Sequence, residues 1–144
     1  MSLFSILSIG ASGMAAQRTR AELLAENLAN AETTRTPEGG PYRRKDAVFT
    51  STPLNSPFAS AFQSEVQGIS GVAVSDIVTD TRDPERRYLP GHPDADADGY
   101  VAFPRVNPAE DMVDLMGAAR GYEANVAAIS AVKDMIARSL DLLR

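Results

Sequence analysis

Apolar residues near the carboxyl end recur at alternating spacings of three and four: Met112, Leu115, Ala119, Tyr122, Val126, Ile129, Ile136, Leu140 and Leu143, with Lys133 the one interruption. Over Asn107–Leu143 there is no proline after Pro108, so the spacing predicts one long helix with a continuous coiled-coil seam. Asn107 suits the amino-terminal cap, Pro108 the first turn, whose N–H would be unsatisfied anyway, and Glu110 the third position of a capping box. Such a helix is roughly 54 Å long at about 1.5 Å per residue, more than a small domain needs in its core. The same spacing runs through Leu3, Leu7, Gly10, Met14, Gln17, Ala21, Leu24, Leu28 and Ala31 and predicts a matching helix over the first 31 residues.

Both helices are expected to be apolar on more than one side. Ile6, Ile9, Ala16 and Leu23 flank the first seam, and Ala128, Val132, Met135 and Leu142 form a second stripe beside the other. One neighbour cannot cover two sides, so further partners are implied. Gly10, Gly13, Gly117 and Gly121 lie inside the two helices, each costing about 1 kcal/mol relative to alanine. Small residues make sense where helix backbones approach closely, and they leave isolated helices marginal in water. Helices that become ordered on assembly are the expectation.

Between the helices, prolines and glycines break the chain into short extended runs. TRTPEGGPYRRKDAVF reads as a turn followed by a strand, Thr50 to Gln67 as an exposed connection, GVAVSDIVTD as a strand, and RRYL and GYVAF as shorter ones. The predicted class is α+β: residues 1–35 and 107–144 as helices of a coiled-coil core, and 36–106 as a small β-rich insertion.

Charge and composition exclude several function classes. The 144-residue chain has a net charge of −5, with 14 basic residues too scattered for a phosphate-binding surface. There is no cysteine, hence no disulfide, thiolate nucleophile or cysteine-ligated zinc. The single histidine, His92, sits in PGHPD, which suits a rigid turn better than a hydrolytic centre. The sequence contains no run of about 18 apolar residues, so a membrane span is not expected. The amino terminus has no basic residue before Arg18, so a cleaved signal peptide is not expected.

Three stretches invite a chemical reading. Asp94, Asp96 and Asp98 before Gly99 match the opening of a calcium loop, but Arg105 stands where a bidentate glutamate belongs, and prolines flank the loop. A solvated turn is the plainer reading, and a small calcium-responsive helical adaptor is the alternative function. Arg43, Arg44 and Lys45 beside Tyr42 suit contact with an acidic protein neighbour. Asn27 and Asn30 in NLANAETT fit either a helix carboxyl end or amides that bond to neighbouring chains in a bundle.

The helix ending in NLANAETT, paired with one containing ARGYEANVAAISAVKDM, resembles the axial proteins of the bacterial flagellum, the rod and hook group. TRTPEGGPYRRK and HPDADADGYVAFPRVN are similar to its proximal-rod members, while Glu32 departs from a position where many relatives have asparagine. The resemblance implies a structural, non-enzymatic subunit with no cofactor, metal, nucleic acid or small-molecule substrate. It implies export through the flagellar type III apparatus without a cleaved signal, and a place in the basal body spanning the periplasm. Expected partners are further copies in a helical array, other rod proteins, the membrane ring protein and the adaptor that joins rod to ring. The assembly surface would involve Leu3, Leu7, Met14, Leu24, Asn27, Leu28 and Asn30 of the first helix. On the last helix it would involve Met112, Leu115, Tyr122, Asn125, Val126, Ile129, Ile136 and Leu140, with Arg43, Arg44 and Lys45 as further partner contacts.

Overall fold

A computed structural model describes residues 3–53 and 70–141. The chain runs α1 (Leu3–Ala29), β1 (Lys45–Pro53), β2 (Ser70–Thr79), β3 (Glu85–Tyr88), β4 (Tyr100–Phe103) and α2 (Pro108–Asp141). The expected helices and all four expected strands are present. Leu142 and Leu143, the side chain of Leu3, and most of the Thr50 to Gln67 connection lie outside the described residues. Thr50 to Pro53 belong to β1 rather than to a connection.

Helix α2 starts where its capping residues direct. The Asn107 side-chain oxygen accepts the N–H of Ala109 at 3.2 Å, and the Asn107 carbonyl accepts the N–H of Asp111 at 3.0 Å. Its 34 residues span about 51 Å. Helix α1 stops at Asn30, whose side-chain amide donates back to the Glu26 carbonyl at 2.9 Å and whose side-chain oxygen accepts the Thr33 hydroxyl at 3.1 Å. Of the two readings open for Asn30, the helix carboxyl end is the one realised, without a left-handed residue.

The helices run antiparallel, with Gly10 against Ile129, Gly13 against Asn125, and Gln17 against Gly121. A Cβ built on Gly10 would come within 2.8 Å of Ile129, and one on Gly13 within 2.9 Å of Asn125. Three of the four helix glycines therefore serve close approach inside the chain; Gly117 faces open space.

The contact face of α2 is turned by one residue from the seam that hydrophobicity predicts. Asp111, Ala118 and Val132 are buried, while Leu115, Gly121, Asn125, Ile129 and Ile136 are half-buried. The other half of the predicted seam is exposed: Met112 at 56 %, Val126 at 42 %, Leu140 at 61 %, together with Ala119 and Tyr122. Leu115, Ile129 and Ile136 belong to both registers. The choice falls to α1, whose glycines accommodate Asn125 and Ile129, and to Arg44, which meets Asp111.

The strands form two separate two-stranded antiparallel sheets, β1 with β2 and β3 with β4. In the first, Lys45 pairs with Thr79 and Pro53 with Ser70, with a bulge opposite Val48 and Phe49. This hairpin lies along α1, where the Ser12 hydroxyl accepts the Val72 N–H at 3.1 Å. The second apolar side of α1 is thus occupied by the chain's own hairpin, whereas the outer flank of α2 has no partner among the described residues.

The helix glycines should separate in mutational cost. Gly117→Ala is expected to stabilise the chain by about 1 kcal/mol, and Gly10→Val to destabilise it by about 1 to 3 kcal/mol through overpacking against Ile129. Urea unfolding followed by far-ultraviolet circular dichroism reads both.

Candidate functional site

Two polar contacts hold the insertion to the helices. The first centres on Asn27, which has no exposed surface. Its amide nitrogen donates to the Lys45 carbonyl at 2.9 Å, and its oxygen accepts the Lys45 N–H at 2.9 Å and the Tyr42 hydroxyl at 2.9 Å. The amide thus pairs with the main chain of Lys45 as a neighbouring strand would. Burial first, and then the nearby Glu26 carboxylate, push the Tyr42 phenol up to about 12, so it remains a donor at any ordinary pH. Asn27 is therefore a clamp inside the chain, with one N–H and its oxygen engaged by Lys45 and Tyr42.

The second contact is the ion pair between Arg44 Nη2 and Asp111 Oδ1, 2.9 Å apart, with Asp111 only 1 % exposed. Asp111 Oδ2 and Arg44 Nε are buried and have no hydrogen-bond partner among the described residues. Burial raises the Asp111 carboxyl above its ordinary range, against the pull of Arg44, and the carboxylates of Asp46, Glu110 and Asp114 add to the rise.

All three residues of the basic run make contacts within the chain. Arg43 donates to the carbonyls of Asp80 and Arg82, Arg44 meets Asp111 and Asp46, and Lys45 Nζ lies 2.5 Å from Glu26 Oε1. Arg44 and Lys45 are thus paired with carboxylates, whereas the exposed Arg43 meets only neutral carbonyls.

The acidic loop does not converge on a cation. Asp94 accepts the Thr34 hydroxyl at 2.7 Å and pairs with Arg35. Asp96 accepts the backbone N–H groups of Asp98 and Tyr100 and pairs with Arg86 at 3.1 Å. Among the described residues no group of three or more acidic or histidine side chains is placed to hold a metal. His92 accepts the Asp94 N–H through Nδ1 at 3.1 Å, and its ring stands edge-on to Phe103. These contacts build a turn that ties β4 to the stretch after α1.

What remains available is the apolar flank of α2. Met112, Val113 and Met116 in its first turns, and Val126, Met135 and Leu140 further on, are all exposed. Of the predicted α1 residues, Leu24 is buried, while Leu7, Met14 and Leu28 are half-buried against the rest of the chain. Val113 and Met116 lay outside the predicted seam; their exposure could not be foreseen without knowing which face α1 covers.

Residues 7–35 match the family described as flagella basal body rod protein, and residues 97–142 match the carboxyl-terminal family of the flagellar basal body rod FlgEFG proteins. Over 100 % of the chain and 99 % of the relative, the sequence is 39 % identical to the flagellar basal-body rod protein FlgC of Borreliella burgdorferi. It is 41 % identical to FlgC of Bacillus subtilis over 99 % of each chain. The chain belongs to the FlgC family of flagellar basal-body rod proteins. FlgC of Salmonella typhimurium, 37 % identical over 99 % of this chain and 98 % of its own length, extends the likeness to a further lineage. FlgC proteins are structural rod subunits and not enzymes, in keeping with a polar inventory spent on holding the fold. The calcium-adaptor alternative is not favoured. No helix among the described residues is long and apolar enough to cross a membrane.

Asn27→Ala strips the Lys45 main chain and the Tyr42 hydroxyl of their partner, and is expected to cost about 2 to 4 kcal/mol in urea unfolding. Arg44→Met leaves an unpaired buried carboxylate, with an expected loss of about 3 kcal/mol at pH 7. The Asp111 carboxyl titrates higher folded than unfolded, so protonation favours the fold. The Arg44→Met penalty should therefore shrink as the pH falls through that raised value, and persist above it. Unfolding curves from pH 4 to 8 check the sign.

Proposed function

We propose that this FlgC-family subunit builds the proximal rod by packing the exposed flank of α2 against helices of neighbouring subunits, and that the resulting array transmits torque. The observation that carries the reading is the exposed row Met112, Val126 and Leu140 on a helix already packed on its other side. Heterologous contacts of this kind repeat without closing and generate a helical array. In this reading residues 1–35 and 107–144 are the assembly arms and 36–106 lies outside them. Leu7, Met14, Leu24 and Leu28 support α2 from within the subunit, while Tyr122 joins the docking flank and Leu115, Ile129 and Ile136 line its inner border.

Other rod proteins adjoin the subunit along the axis, with the membrane ring protein and its adaptor at the proximal end. The chain travels through the flagellar type III export apparatus without a cleaved signal and assembles in the periplasm. The cost of the helix glycines supports passage as a weakly ordered chain, because helices this marginal gain much of their stability from neighbours.

Val126→Asp places a charge on the exposed flank without touching the α1 contact. The free variant is expected to keep its helical circular dichroism while rod assembly and swarming are lost. Normal motility would remove the α2 flank from the assembly surface.

A further inference from the structure

Strand β1 has one neighbour, β2, and its other edge lies beside a groove lined by Arg20, Leu23 and Leu24 of α1, Ala47 and Phe49 of β1, and Asp114 of α2. The hydrogen bonds at the two ends of the hairpin establish which main-chain groups that edge presents. Lys45 turns its N–H and carbonyl away from β2, into the amide of Asn27. Val72, opposite Ser51, turns its N–H away from β1, into the Ser12 hydroxyl. Antiparallel pairing alternates inward and outward residues, and the extra residue of the bulge is on β2. Ala47, Phe49 and Ser51 therefore point their N–H and carbonyl groups outward, and none has a partner on that side among the described residues.

Open edges of this kind are usually blunted by charge, proline or a covering segment. Here the blunting is confined to the ends, where Asn27 occupies Lys45 and Pro53 lacks an N–H. Between them lie three donors and three acceptors above an apolar floor of Leu23, Leu24 and Phe49. Along the groove Arg20 and Lys45 balance Asp46 and Asp114, so it selects no charge.

We propose that the outer edge of β1, from Ala47 to Ser51, receives an extended segment of a neighbouring rod subunit by strand addition. The spacing between Asn27 and Pro53 admits about five to seven residues. Charge balance and the apolar floor call for an uncharged segment with an apolar side chain at every second position. The same groove is lined by residues of α1, by β1 and by Asp114 of α2. A neighbour bound there would bridge the insertion and the helical arms, which one face of α2 alone cannot do.

Amide exchange on purified basal bodies and on the free chain tests the edge directly. The amides of Ala47, Phe49 and Ser51 are expected to be protected by about 100-fold or more in the assembled rod relative to the free chain, while Thr50, bonded to β2, is protected in both. Equal exchange of the three amides in the two states would overturn the proposal. Ser51→Pro removes an outward N–H that β2 does not use, and is expected to reduce motile cells at least about tenfold, while Ser51→Ala leaves them unchanged. Wild-type motility of Ser51→Pro would equally overturn the proposal. Should the proline variant lose strand content as a free chain, the exchange comparison decides. Presence of the chain in the basal-body fraction is read in the same preparation, so loss of the edge contact and loss of rod incorporation are distinguishable.

Discussion

The fold depends on a side-chain amide that stands in for a strand. At the end of α1 the chain must turn, cross a proline-rich connection and enter β1, and the first residue of β1 would otherwise carry an unpaired N–H and carbonyl on its outer side. Asn27 satisfies both from a position with no exposed surface, and Tyr42 closes the remaining acceptor site. An amide offers a donor and an acceptor with the spacing of a peptide group, so few other side chains could do this. Next to Lys45 in the chain, Arg44 reaches Asp111 and fixes the start of α2 to the same point. Three elements are thereby held in a single register.

From that node outward, the two helices are used unequally. Helix α1 is covered on one side by α2 and on another by the hairpin, so its apolar excess is largely consumed within the subunit. Helix α2 is covered on one side only and continues with a row of methionine, valine and leucine side chains in the open. A subunit with one satisfied helix and one half-satisfied helix is suited to addition to a growing assembly. Its internal register is already set, and what remains for neighbours is apolar area without directional polar demands.

The charged residues follow the opposite economy. Nearly every basic group in the turn regions is matched to a nearby carboxylate or carbonyl: Arg82 to Asp80, Arg86 to Asp96, Arg87 to Glu85, Arg35 to Asp94. The hydrogen bonds from Arg82 hold the Asp80 carboxyl down to about 2, so it stays ionised through the physiological range. Exposed pairs contribute little stability singly. Their role here is to hold short turns in shape.

The sequence by itself determined the two helices, the Asn107 cap of α2, the four strands and the family, because these depend on local periodicity, turn residues and motifs carried in consecutive positions. It also showed that the helix glycines mark close approach, which holds for Gly10, Gly13 and Gly121. What it could not decide was the face of α2 that turns inward. Two seams one residue apart share Leu115, Ile129 and Ile136, and hydrophobicity favours the one through Met112 and Val126. The folded chain uses the one through Asp111, Ala118, Asn125 and Val132, because Arg44 and the α1 glycines supply partners for a carboxylate, an amide and a close-fitting side chain. The roles of Asn27 and of the run Arg43 to Lys45 were equally hidden, since each depends on atoms brought from elsewhere in the chain. Periodicity records which residues are apolar; only the tertiary arrangement settles which polar residues find partners and so which apolar ones are left outside.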